Sequence, residues 1–155
     1  MHIIFIRQNE FGNLNIWLIF ISAWSTDTFA YFAGRTLGKH KLCPKISPKK
    51  TISGAIGGLI GGIGGAMLVF ALCQAPLFSG VLARTGFAWW HFLIFGFVGS
   101  ILGQIGDLFE SFLKRKANVK DSGTMFPGHG GMLDRIDAMS FVAVFVFILV
   151  FIVVL

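Results

Sequence analysis

Five of the seven acidic residues, Asp107, Glu110, Asp121, Asp134 and Asp137, fall in one stretch, interleaved with Lys114, Arg115, Lys116, Lys120 and Arg135. Carboxylates beside cations are the parts of a site for phosphate esters. The acids suit Mg²⁺, which keeps several waters and binds through one or two carboxylates plus substrate phosphates. Lys and Arg neutralise the phosphate oxygens. Asp107 and Glu110 are spaced i,i+3, which places both on one face if the segment is helical, and Asp134 and Asp137 repeat the spacing. Arg135 would then point about 100° away, free to bind something else. Between the two pairs lies K-D-S-G-T-M-F-P-G-H-G-G, in which Pro127-Gly128 and Gly130-Gly131 predict a tight turn with backbone amides close to a ligand. His129, flanked by glycines, is a candidate for phosphate contact or proton transfer, or serves the turn itself. A solvated loop with ordinary salt bridges does not account for Pro-Gly-His-Gly-Gly wedged between the acids.

Asp27, in W-S-T-D-T-F-A-Y, is the other acid of interest. A carboxylate inside a membrane span is expensive and by default faces a functional cavity, whereas one at an interfacial helix end is cheap. Both readings of Asp27 stand. Other metal and nucleotide chemistries find little support. His2, His40, His91 and His129 show no H-x-x-x-H or H-E-x-x-H spacing, so zinc is not expected, and His91 after Trp89-Trp90 reads as part of an interfacial aromatic belt. Cys43 and Cys73 form neither a C-x-x-C pair nor a disulfide framework. The glycine-rich run Gly54 to Gly65 lacks the Lys-Ser/Thr of a phosphate loop, Ala66-Met67 standing there instead. Its glycines recur every fourth residue in two stripes, Gly54/Gly58/Gly62 and Gly57/Gly61/Gly65, which predicts close helix packing and makes a homodimer plausible.

The elements that must position these residues follow from composition. Of 155 residues, 55% are hydrophobic and only 13% charged, and the mean hydropathy is +0.77. A soluble domain carries about 25% charge, so soluble enzymes, disordered tails and nucleic-acid-binding domains are poor fits. About 20 apolar residues cross a bilayer, and four stretches qualify: 11–33, 54–75, 87–106 and 138–155. The expected fold is therefore an all-α, polytopic integral membrane protein, a single transmembrane domain over residues 1–155. No cleavable signal peptide is expected, since Arg7-Gln8-Asn9-Glu10 interrupts the short apolar start. The segments 34–53 and 107–137 hold eleven of the thirteen cations. Four spans in alternation put both on one side, which the positive-inside rule makes cytoplasmic. The same bias explains the net charge of +6 without invoking nucleic acid.

With these pieces in hand, Ser111 to Asp137 resembles the signature of the phosphatidate cytidylyltransferase (CDP-diacylglycerol synthase) family: S-x-x-K-R, K-D, P-G-H-G-G and D-R-x-D at the family's spacing. Upstream, G-D-L-F-E-S, A-W-S-T-D-T-F-A-Y and G-K-H-K-L-C-P-K-I-S-P-K-K-T are also similar, so the likeness covers nearly the whole chain. Family members are distinctly longer, with further N-terminal spans, and the chain looks like their signature-bearing part. The resemblance implies CMP transfer from CTP to phosphatidate with Mg²⁺, a second metal or a monovalent cation being an open addition. It implies metal ligation by Asp107, Asp134 and Asp137, with Asp121 a further candidate, and catalytic roles for these acids, Arg135 and His129. Lys114, Arg115, Lys120 and Arg135 would engage phosphates, and Lys45, Ser47, Lys49, Lys50 and Thr51 would close over the same site, Asp27 joining the substrate-binding set. The implied location is the cell (inner) membrane, with the active site facing the cytoplasm. Two alternatives stay open: a truncated, non-catalytic membrane subunit of the family, and a cytidylyltransferase for another lipid phosphate. A transporter built on Asp27 lacks a second interrupted span to pair with it.

Overall fold

The computed structural model describes residues 12–75, 87–117, 142–146 and 148. In chain order these form α1 (Gly12–Leu37), β1 (Lys41–Cys43), β2 (Ser47–Thr51), α2 (Ile52–Cys73) and α3 (Trp89–Lys116), and residues 142–146 are also helical. The architecture is thus predominantly helical, and the expectation of an all-α chain is corrected by one two-stranded antiparallel hairpin. Segment 34–53, expected as a basic loop, contains that hairpin. α1 continues through Arg35 until Gly38, where a side chain would collide with the Gly34 carbonyl and only glycine lets the chain turn away. Pro44 then sits at the second position of a turn closed by Ile46 N–H to the Cys43 carbonyl at 3.1 Å. Lys41 pairs with Thr51 and Cys43 with Ser47, with an irregularity between.

α3 likewise outruns its expected end. Residues 107–116, placed by sequence in the second basic segment, continue the same helix. The buried stripe Phe92, Phe95, Gly96, Gly99, Ser100, Gly103, Gly106 and Glu110 shows why. The inward face of the apolar half simply carries on into the charged half. Most of the expected fourth span lies outside the described residues, but Val142, Ala143 and Val146 are buried in the core with Leu18, Ile19, Phe92 and Phe95.

Glycine decides how closely the helices approach. A Cβ at Gly54 would lie 2.9 Å from the Ala30 carbonyl oxygen, at Gly58 3.1 Å from that of Thr26, and at Gly61 2.5 Å from Phe29 Cβ. Gly62 faces Thr26 and Ser100, and Gly65 faces Ser25. Both stripes are therefore consumed inside the chain, against α1 and α3, and give no argument for a second copy. Gly58→Val should lower the midpoint of thermal unfolding in detergent, by a destabilisation of about 1–3 kcal/mol, because the backbones must separate. A midpoint equal to that of the unaltered chain would refute this packing.

The helices present an outer surface far more apolar than that of a water-soluble protein, with several polar groups among the buried ones. Asn15, Ser22, Thr26 and Ser100 are buried, while Trp17, Trp24, Ile56, Ile60, Leu68, Phe97, Ile101 and Ile105 are exposed. The Thr26 hydroxyl donates to the Ser22 carbonyl at 2.8 Å and lies 3.3 Å from Ser100 Oγ. Polar groups joining helices inside and large apolar side chains outside are what lipid as solvent selects. Among the described residues α2 and α3 are long and apolar enough to cross a membrane. α1, at 26 residues, has the length but carries more polar side chains. His91, expected in an interfacial belt, is buried beside exposed Trp89 and Trp90. Its Nδ1 accepts the Ala88 N–H at 3.0 Å and caps the start of α3.

Candidate active site

A cavity of about 400 Å³ opens where the C-terminal half of α1, the hairpin, the start of α2 and the middle of α3 meet. α1 lines it with Asp27, Tyr31, Gly34 and Arg35, the hairpin with Leu42, Lys49, Lys50 and Thr51, α2 with Gly54 and Ala55, and α3 with Gln104 and Asp107. Each contribution has a local cause. Asp27, Tyr31 and Arg35 are four residues apart and share a helix face. Lys50 directly precedes Thr51, whose Oγ1 accepts the Gly54 N–H at 3.1 Å as the N-cap of α2. Asp107 lies on α3 between buried Gly103 and Glu110, one turn from each, so it faces inward.

The electrostatics combine two carboxylates with three cations and one helix end. The Lys50 ammonium pairs with Asp107 Oδ2. Arg35 donates from Nη1 to the Tyr31 hydroxyl oxygen at 2.9 Å. The capped N-terminus of α2 adds its partial positive charge to the wall. Gln104 Nε2 donates to the Ala55 carbonyl at 3.2 Å and ties α3 to α2 beside the cavity. Just below, Glu110 is only 5% exposed and receives Lys114 at 2.8 Å. Arg115 Nε donates to the Ile46 carbonyl at 3.4 Å, a long contact that holds the hairpin turn to the end of α3. A pocket walled by cations and a helix N-terminus, with carboxylates on two opposite helices, can take a polyphosphate together with a divalent cation.

Comparison with known proteins points the same way. The chain matches the cytidylyltransferase family over residues 1–153. It is 42% identical over 141 residues to a phosphatidate cytidylyltransferase of Bacillus subtilis, covering 91% of this chain and 49% of the relative. With a phosphatidate cytidylyltransferase of Brucella abortus the identity is 44% over 135 residues, covering 86% and 46%. With one of Thermotoga maritima it is 39% over 136 residues, covering 86% and 48%. The chain belongs to the cytidylyltransferase family. It spans about half the length of the curated relatives it matches.

Of the site residues that the cytidylyltransferase resemblance implied, Asp27, Asp107, Lys49, Lys50 and Thr51 are brought to one cavity. Lys45 and Ser47 lie on the hairpin without lining it. Lys114 and Arg115 engage Glu110 and the Ile46 carbonyl. Lys120, Asp121, His129, Asp134, Arg135 and Asp137 lie outside the described residues. Among the described residues no three His, Cys, Asp or Glu side chains form a group that could hold a metal alone. Sequence reasoning did not single out three polar residues that line this cavity: Tyr31, Arg35 and Gln104. The signal for Arg35 was present in its helical spacing from Asp27, but it was read only as one more positive-inside charge. Arg35→Gln is expected to weaken binding of inorganic tripolyphosphate about tenfold, as loss of a charge-assisted contact to phosphate does. Calorimetric titration of the detergent-solubilised chain with tripolyphosphate checks this, and an unchanged affinity would remove Arg35 from the site.

Proposed function

We propose that the chain carries the nucleotide-binding and catalytic segment of a CTP:phosphatidate cytidylyltransferase, an enzyme of phospholipid biosynthesis in the cell (inner) membrane, with several membrane spans and its site facing the cytoplasm. The observation that carries this reading is one cavity in which Asp27 and Asp107 meet Arg35, Lys49 and Lys50 at the N-terminus of α2. Its position among lipid-solvated helices suits one substrate dissolved in the membrane, phosphatidate, and one arriving from water, CTP.

The donor set fits Mg²⁺. Asp107 offers a hard carboxylate oxygen to the cavity, and Mg²⁺ is commonly held by one or two carboxylates plus phosphates rather than a full protein cage. Asp107 is the described residue we assign to it, with Asp121, Asp134 and Asp137 completing the set implied by the family resemblance. When bound with the triphosphate, the ion supplies neutralisation of charge on the phosphates and the leaving pyrophosphate.

In the reaction a phosphate oxygen of the lipid attacks the α-phosphorus of CTP. A new P–O bond forms, the bond to the β-phosphate's bridging oxygen breaks, and pyrophosphate leaves with the electron pair. The chain's residues perform positioning and electrostatics rather than covalent work. Arg35 and Lys49 hold phosphate oxygens, the positive end of the α2 dipole favours the anion, and Gln104 fixes the α2–α3 distance that sets the pocket width. Purified chain in detergent with labelled CTP, phosphatidate and Mg²⁺ should yield labelled CDP-diacylglycerol. Folded protein that yields none would refute this activity for the chain.

A further inference from the structure

Two lysine–carboxylate pairs flank the same part of α3, and they differ in kind. Lys114 and Glu110 lie on one helix, and Glu110 is almost fully buried, so that pair is part of the scaffold. Lys50 and Asp107 come from different elements, the end of β2 and the middle of α3, and both line the cavity. Their side chains keep 24% and 39% of their exposure. A partly solvated ion pair is held weakly, and its partners separate at little cost. The ammonium is a point charge on a flexible four-carbon stem, able to turn from one oxygen to another within its reach. In this cavity such a turn meets whatever anion sits beside Lys49 and Arg35.

We propose that Lys50 is the resting counter-ion of Asp107, yields that carboxylate when a divalent cation arrives, and transfers its charge to a phosphate of the nucleotide. This inference rests on the reading of the cavity as a cation–polyphosphate site and names how its loading is regulated. An ammonium and a divalent cation on the same carboxylate repel, so one excludes the other. A triphosphate relieves the conflict by accepting the displaced ammonium. Cation and nucleotide loading are then linked through one side chain, and the site binds the metal poorly until the nucleotide is present. The reciprocity is required thermodynamically, since each ligand must favour the other by the same factor.

The test uses the full chain in lipid nanodiscs, with Mn²⁺ as the probe and free Mn²⁺ counted by electron paramagnetic resonance. Without nucleotide, Lys50→Met, which keeps an apolar stem but no charge, should bind Mn²⁺ about tenfold more tightly than the unaltered chain, as removal of a competing charge requires. Lys50→Arg should stay within about twofold of the unaltered chain. Lys49→Met removes a neighbouring charge without touching the pair, and should tighten Mn²⁺ by less than about threefold, a through-solvent effect. At saturating Mn²⁺, Lys50→Met should bind CTP about tenfold more weakly. Lys50→Gln carries the same expectations as Lys50→Met and replaces it if the methionine variant fails to fold. Mn²⁺ affinity unchanged or weakened on losing the charge, a gain no larger than that of Lys49→Met, or unaltered CTP affinity would each overturn the exchange. Failure of the unaltered chain to bind CTP would separately refute the cytidylyltransferase reading. The Mn²⁺ comparison needs no nucleotide and would still show whether Lys50 occupies the carboxylate.

Discussion

Under the proposed function, Asp107→Asn is expected to lower the rate of CDP-diacylglycerol formation by about 10³-fold, the scale seen when a charge-stabilising group is removed from a reaction centre. Asparagine keeps the shape and one oxygen acceptor but cannot neutralise a cation. Asp107 lies at the point where α3's inward stripe reaches the cavity, with Lys50 as its partner. Were it only a structural anchor for Lys50, the cost would be that of a partly exposed ion pair, about 1 kcal/mol or less, and would appear in stability rather than turnover. Turnover with labelled CTP and a thermal melt on the same sample therefore separate the roles. Activity within about tenfold of the unaltered chain would exclude Asp107 from the proposed metal site.

The second large effect is expected at Asp27. The sequence left it either as a functional carboxylate or as an interfacial helix end. α1 continues to Leu37, so Asp27 stands roughly 15 Å inside the helix terminus and lines the cavity. A carboxylate that far from the helix end and facing a cavity is not the inexpensive helix-end case. Asp27→Asn should thus cut kcat/KM by about 10²-fold, near 2.7 kcal/mol of transition-state stabilisation, while leaving the melting temperature unchanged or raised. Opposite movement of activity and stability is the mark of a residue kept for chemistry at the expense of packing. Loss of both together would show a structural role instead.

Much of the fold was readable because the relevant signals are local. Apolar runs of helical length, interrupted in α1 only by Asp27, found the bodies of α1, α2 and α3, and the repeating glycines identified the surface of α2 that packs. The ends were harder. Charged residues look like loop in a hydropathy reading, yet Asp107, Glu110 and Lys114 extend α3 because their spacing keeps the buried stripe in phase. The hairpin was hidden for a related reason: S-P-K-K-T has neither alternation nor apolar content. Its pairing is fixed by the Pro44 turn and by Thr51 capping α2. The capping role of His91 was not legible either, because the flanking tryptophans say nothing of the contact by which its ring caps α3.

By itself the amino-acid sequence determined the lipid-solvated class of the protein, the phosphate-and-cation chemistry of its charged segments and its likeness to cytidylyltransferases. These depend on composition, spacing and order along the chain. Only the tertiary structure decided that Asp27, Arg35, Lys50 and Asp107 share one cavity, that Lys50 rests on Asp107, and that the glycine stripes close α1 and α3 onto α2 rather than onto another copy. Periodicity tells which face of a helix is special but not which neighbour that face meets. That choice is made by the fit of whole surfaces, where α2 lacks side chains and Thr26, Phe29 and Ser100 fill the space.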